Sequence, residues 1–282
     1  LPSQVVNTDK KSQNLSYYSN VLSQMCVKTR GELYSINLHD HLDKTPSIII
    51  GLDSAKAPQG QVKLTMSSSY NRHYSSYYTE SALCPMNAKD ETIRQLLKNA
   101  LANYSKKLTN PGQPQFKPRM MFVYRNGGNE KQKVAQYNEE LPVFQEICKE
   151  MKTQLAFISV NKKTDIKFFE CTNRGYANPQ NGTVIDSDVV SPDFCEFYLQ
   201  PQYVNSGTAT PVHFHCLYDE TNIPLDVLEQ ITYRQTYYYW NWPGPIRVPA
   251  ALKYAEMLNA FQSRYLKNSK ISEALQDTPF FI

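Results

Sequence analysis

Apolar residues along this chain fall into two rhythms. Short continuous runs at Ser47–Leu52 (SIIIGL), Arg119–Arg125 (RMMFVYR) and Leu155–Val160 (LAFISV) have the length and composition of strands buried on both faces. The stretch Asp90–Lys107 instead places Ile93, Leu96, Leu97, Ala100, Leu101 and Tyr104 on one stripe at the helical period, and Asn110-Pro111-Gly112 stops it. A shorter helix is predicted over Tyr17–Val27, with Tyr18, Val21, Leu22 and Met25 on its apolar side. A further helical region runs from about Glu130 to Met151, where Pro142 either kinks it or begins a second helix. Two closing helices are predicted near Leu225–Tyr239 and Pro249–Leu266. The remaining strand signals are Val62–Ser68, a strand-and-loop stretch at Ser67–Thr79, Asp165–Cys171, and a late pair at Phe194–Leu199 and Val212–Tyr218. Strands and helices alternate without repeats, which predicts an α/β protein with a mixed sheet flanked by helices.

Length and composition narrow the class. A chain of 282 residues, 41% hydrophobic and 20% charged, can bury a large core and is not disordered throughout. Its net charge of +4 is too mild to point to nucleic acid by itself. No apolar run approaches the ~20 residues a membrane helix needs, and Leu1–Thr8 has no secretory character. The opening Leu-Pro in place of Met suggests a piece of something longer. Cys26, Cys84, Cys148, Cys171, Cys195 and Cys216 lie far apart with no CxxC pair. That spacing predicts reduced core thiols in a cytoplasmic or nuclear protein.

Several segments carry a resemblance: PSQVV at Pro2–Val6, GELY at Gly31–Tyr34, IGLD at Ile50–Asp53, YRNG at Tyr124–Gly127 and VNKKTDIKFF at Val160–Phe169. GTVID at Gly182–Asp186, FYL at Phe197–Leu199, Gly207–Thr208, PVHFHCLYDE at Pro211–Glu220 and the Ile231–Ala250 stretch with NWPGPIRVPA follow. In that order they resemble the PIWI domain of Argonaute proteins, and NWPGPIRVPA points to the PIWI clade. The resemblance implies a ribonuclease-H-like mixed sheet flanked by helices, with 1–45 as the junction to a MID domain and 46–282 as the PIWI domain. N, PAZ and MID domains are expected upstream.

In active members of the family, three carboxylates and a fourth residue hold two divalent metals that stabilise the attacking and leaving oxygens of a phosphoryl displacement. Carried over, Asp53 matches the first carboxylate, Asn126 stands where YRDG would supply the second, Ala88 falls at the glutamate position, and Glu256 takes the fourth. Glu80 and Glu91 are the carboxylates a shifted loop would offer instead of Ala88. The expectation is a domain that binds RNA but does not slice, with no cofactor required. The resemblance further implies a 5′-phosphate pocket at Gln24, Lys28 and the Ile282 carboxylate, which Mg²⁺ would suit, and guide-backbone contacts at Lys162, Lys167, His213, Tyr239 and Arg247. Asn241 replaces the arginine that other Argonautes carry after the guide-facing tyrosine. The implied partners are a small guide RNA of the Piwi-interacting type, its complementary target, the MID domain and recruited protein effectors, with no membrane. An active Mg-dependent endoribonuclease with rearranged ligands and a protein scaffold without RNA are the competing readings.

Two patterns carry alternatives. His213 and His215 share one strand face, as a metal pair would, but no third ligand is evident in the sequence, so His213 is assigned to RNA and His215 to local packing. Tyr237–Tyr239 with Trp240 and Trp242 either stack bases or fill the core.

Overall fold

The computed structural model describes residues 2–6, 14–266 and 269–282. Helix α1 (Leu15–Lys28) and the short α2 (Asp40–Lys44) lead into strand β1 (Ser47–Lys56). Then come β2 (Gln61–Ser69), β3 (Tyr77–Pro85), the long α3 (Lys89–Leu108) and β4 (Met120–Asn126). Helix α4 (Glu130–Ala135) runs into α5 (Leu141–Met151) through a π-turn at Gln136–Glu140 with helical backbone on both sides, so the region is continuous and the π-turn just before Pro142 accommodates its missing N–H. Strands β5 (Gln154–Asn161), β6 (Glu170–Thr172), β7 (Gly175–Ala177), β8 (Thr183–Ile185), β9 (Glu196–Gln200) and β10 (Val212–Asp219) follow, and α6 (Leu225–Gln235) and α7 (Ala250–Phe261) close the order.

Eight strands form one mixed sheet in the order β3-β2-β1-β4-β5-β10-β9-β8. Its centre, β1-β4-β5, is parallel and the flanks are antiparallel. Strand parity divides the core. Ile49, Phe122, Tyr124, Ile158 and Phe214 join the cluster under α6 and α7, whereas Ile48, Ile50, Met121, Val123 and Phe157 join the one under α3 and α5.

The structure corrects several expectations. The strand-and-loop reading of Ser67–Thr79 resolves into the ends of β2 and β3, and the pairing of β3 with β2 continues through residues 80–85, for which no element was predicted. The Asp165–Cys171 strand shrinks to Glu170–Thr172, and the helix expected to Tyr239 ends at Gln235. Only Cys84 and Cys148 are buried; Cys26 and Cys216 are half-buried, and Cys171, on the exposed β6–β7 ribbon, and Cys195, in the loop before β9, are exposed. On α1, Tyr18, Leu22 and Met25 face solvent, so its apolar side is uncovered.

Candidate nucleic-acid interface

Parallel strands β1, β4 and β5 all end on one side of the sheet, where open α/β sheets place their ligand sites. A cleft of about 480 Å³ opens there, lined by Ser54, Arg125, Asn126, Gln136, Asn161 and Lys162 among others. Register sets its chemistry. Leu52 pairs with Arg125 across β1 and β4, so the next pair, Asp53 and Asn126, sits side by side on the α7 face. Asn126 Nδ2 donates to Asp53 Oδ1 at 2.8 Å, and Asn259 Nδ2, from α7, donates to Oδ2 at 2.7 Å. Asp53 is 7% exposed.

One turn before Asn259, Glu256 pairs with Lys162. Burial pushes the Glu256 carboxyl up, Lys162 opposes that shift, and the Asp53 charge adds to it. Lys63, reaching from β2, donates to the Asn259 carbonyl at 2.7 Å and to Ser263 Oγ. Ala88 caps the start of α3. Neither alternative carboxylate turns toward Asp53. Glu80 accepts from Asn99 Nδ2 and the Tyr78 hydroxyl, both at 2.9 Å, and Glu91 lies exposed beside Arg94.

On the other face of the sheet, Arg125 and Glu140 form a buried bidentate pair, Nε to Oε2 at 2.6 Å and Nη2 to Oε1 at 2.9 Å, with Lys89 Nζ 2.8 Å from Oε1. Burial alone would raise the Glu140 carboxyl, but Arg125 and Lys89 outweigh it and hold the group at about 2. A carboxylate depressed on folding stabilises the protein above its unfolded pKa and loses that contribution as pH falls through the folded value. Acid denaturation of the wild type is therefore expected to steepen between pH 4.5 and about 2. Unfolding free energy measured against pH should flatten there in Glu140→Gln; an unchanged slope would refute the assignment.

Of the three residues expected around a 5′ phosphate, Gln24 and Lys28 meet in one cluster through Gln4. Lys28 Nζ donates to Gln4 Oε1 at 2.8 Å and to the Ser3 carbonyl at 3.2 Å. Gln24 accepts from Gln4 Nε2 at 2.7 Å and donates to Asn241 Oδ1. Burial lowers the Lys28 pKa. Among the described residues no ion pair joins Lys28 to the Ile282 carboxylate; the Ile282 side chain packs on the core.

The expected guide-backbone residues divide. Lys167 donates to Thr210 Oγ1, and Arg247 Nη2 donates to the carbonyls of Lys162 (2.8 Å) and Thr210 (3.2 Å), so Lys162, Lys167 and Arg247 gather around Thr210. Tyr239 is buried against Tyr254, with the Lys253 ammonium 5.7 Å from its ring centroid. His213 falls elsewhere. It lies on the sheet face opposite Phe214, where Nε2 bonds Glu196 Oε2 at 2.9 Å. Tyr238 and Trp240 are core, whereas Trp242 is exposed.

Sequence reasoning missed Asn259 and Glu196. Asn259 stands three residues after Glu256, the helical spacing that shares a face, so its signal was present. Glu196 is joined to the histidines by cross-strand pairing, for which no local signal exists.

Sheet order and an aspartate buried within the second half of the first strand define a ribonuclease-H-like domain. The Piwi domain family model matches residues 1–267, and the chain belongs to that family. It is 27% identical over 290 residues to Protein argonaute-3 of Drosophila melanogaster, covering all of this chain and 32% of that protein. It is 28% identical over 293 residues to Piwi-like protein Ago3 of Bombyx mori, covering 100% and 30%. The chain thus spans about a third of the length of these relatives. In fold it is similar to the crystal structure of Drosophila Piwi (TM-score 0.81, 24% identity, 96% of this chain and 37% of that one). It is likewise similar to Kluyveromyces polysporus Argonaute solved with a guide RNA (TM-score 0.78, 20% identity, 95% and 37%). Among the described residues no helix is long and apolar enough to cross a membrane.

Proposed function

We propose that this PIWI domain holds a small guide RNA paired to its target and does not cut it, acting through the RNA it positions and the proteins it recruits. The observation that carries this reading is the environment of Asp53: both its oxygens accept from side-chain amides, and Glu256 is paired to Lys162. Two magnesium ions ask for several anionic oxygens converging on shared positions. A capped Asp53, a neutral Asn126, an ion-paired Glu256 and Ala88 do not fit that demand, so no cleavage step is routed through them.

Guide binding is supported by a polar track in which the Asn241 amide also donates to the Tyr239 hydroxyl at 3.5 Å and Lys253 adds its charge beside Glu256. It leads from Lys28 and Gln24 through Asn241 to Tyr239, then by Lys253 and Glu256 to Lys162, Arg247 and Lys167. Cations and amides of this kind hold phosphates without reading sequence, leaving specificity to base pairing. Lys162 and Lys167 supply charge, while Tyr239 and Arg247 shape the wall. The cluster around Lys28 suits a phosphate better than a metal, since the one carboxylate expected there is that of Ile282; Mg²⁺ would be accessory. A MID domain preceding the junction at 1–45 would cover the exposed Leu22 and Met25 of α1.

The test is to purify the full-length protein, sequence its bound RNA, and assay a matched target with Mg²⁺ or Mn²⁺. A discrete small-RNA class without cleavage is expected. Cleavage abolished by Asp53→Ala would overturn the non-slicing reading, and absence of enriched RNA would favour a scaffold.

Two variants probe the parts. Asn126→Asp replaces a donor with a second carboxylate against Asp53, and should lower stability by about 1–3 kcal/mol. A thermal melt reads this; an unchanged midpoint would mean the Asn126–Asp53 bond contributes little. Lys28→Met should weaken binding of a 5′-phosphorylated RNA about ten- to hundredfold, the loss of a charge-assisted bond. Binding of the 5′-hydroxyl RNA should hardly change. Equal loss for both would place Lys28 outside the phosphate pocket.

A further inference from the structure

The face of the sheet turned away from Asp53 carries a convergent set of side chains that guide binding does not use. His213 and His215 alternate with the buried Phe214 on β10, and Glu196 lies directly across from His215 on β9. His213 Nε2 and His215 Nδ1 both lie 2.9 Å from one atom, Glu196 Oε2. All three ligand atoms fall within 4.8 Å of one another. We propose that Glu196, His213 and His215 form a mononuclear site for a divalent transition metal of the zinc class, its fourth position open to the adjoining cleft.

The support around the three is what a metal site requires. The Ser191 amide donates to Glu196 Oε1 at 2.8 Å and so aims Oε2 at the gap between the rings. Tyr198 stacks on His213 with centroids 4.4 Å apart and planes 13° from parallel, and Phe194 lies against His215 at 5.4 Å. Two imidazoles and a carboxylate, with one position left for water, are a donor set that zinc takes readily. A tetrahedron with bonds of ~2.0 Å has edges of ~3.3 Å, so the two 2.9 Å separations to Glu196 must open slightly, and the two imidazole nitrogens, within 4.8 Å of each other, must settle to the same spacing. A ligating imidazole carries its one proton on the nitrogen away from the metal, so a hydrogen shared with Glu196 moves through solvent to that other nitrogen when the ion binds. Burial favours the neutral form of His213 over its charged one; Glu196 opposes this, and His215 and Lys133 act with burial. The cleft, about 540 Å³, has Val134, Tyr137 and Phe194 in its wall and Glu196 and His215 at its edge, leaving room for a metal-bound water or an anion.

The experiment is a Zn²⁺ titration of chelator-stripped full-length protein, repeated with Co²⁺ for its ligand-field spectrum. One equivalent should bind and raise the thermal midpoint, with the intense visible bands of a four-coordinate Co²⁺ and no thiolate charge transfer. Glu196→Gln should weaken binding about ten- to hundredfold, and His215→Ala should abolish it. Metal-free melts of both variants show whether each still folds. Asp53→Ala and the Cys195→Ser/Cys216→Ser double variant should bind as the wild type does. Absence of stoichiometric binding, equal affinity in folded His215→Ala, or a thiolate band lost in the cysteine double variant would each overturn the proposal.

Discussion

Replacing Gly51 with alanine is expected to leave the protein unfolded or destabilised by at least about 3 kcal/mol, the upper range for overpacking a core. Gly51 sits in the middle of β1 on the face that α7 covers. A Cβ there would stand 2.3 Å from the carbonyl carbon and oxygen of Ala251 and from the amide nitrogen of Leu252. Those are backbone atoms of the first turn of a helix, with no rotamer that could swing aside. Relief requires α7 to lift, and lifting it separates Asn259 from Asp53 and uncovers Ile49. Total stability for a domain of this size is of order 5–15 kcal/mol. Urea denaturation should show the loss as a midpoint shift or as material recovered only in aggregates. A soluble Gly51→Ala protein with a wild-type midpoint would mean that α7 does not rest on β1 as described.

Arg125→Met is the second large effect, expected at about 3–5 kcal/mol. Arg125 and Glu140 are 5% and 1% exposed, and the guanidinium also donates to the Asn126 carbonyl and Ser54 Oγ, both at 2.8 Å. Removing the cation leaves a carboxylate in the interior with Lys89 as its remaining ion-pair partner. The cost comes from stranding a charge more than from losing an attraction, because a buried pair gains little over apolar residues of similar volume. The double variant Arg125→Met/Glu140→Met should therefore be less damaged than Arg125→Met alone. Chemical denaturation of the four proteins in the cycle reads this directly. A double variant weaker than either single would show that the pair contributes through its geometry.

The central strands were legible because burial on both faces leaves almost no polar positions: IIIGL, MMFVY and LAFIS read as strands from composition alone. Helix α3 was legible for the opposite reason, one apolar stripe on an otherwise polar cylinder. Periodicity fails where it reports that a face is apolar but not what covers it, as on α1, where Tyr18, Leu22 and Met25 turn to solvent. Strand β3 escaped because Thr79, Glu80 and Ser81 interrupt its pattern, and its pairing with β2 overrides their propensity. The adjacency of Asp53 and Asn126 followed from the family pattern, and Asn259 was within reach of a spacing argument. Glu196 was not, since its meeting with His213 and His215 depends on a register between strands that no local stretch encodes.

Helix α7 (Ala250–Phe261) rests on β1 (Ser47–Lys56), most of the chain later, and this has a consequence for synthesis. By the time β5 has left the ribosome, β1, β4, β5, α3 and α5 are all present, so one side of the central sheet can close. The opposite side, with Ile49, Phe122, Tyr124 and Ile158, lacks its main cover until α6 and then Ala250–Phe261 have been made. Some hundred residues separate the two events, about 5–20 s at ordinary elongation rates of ~5–20 residues per second. For that interval the nascent chain carries half a finished core and an apolar sheet face, the kind of surface that holding chaperones bind.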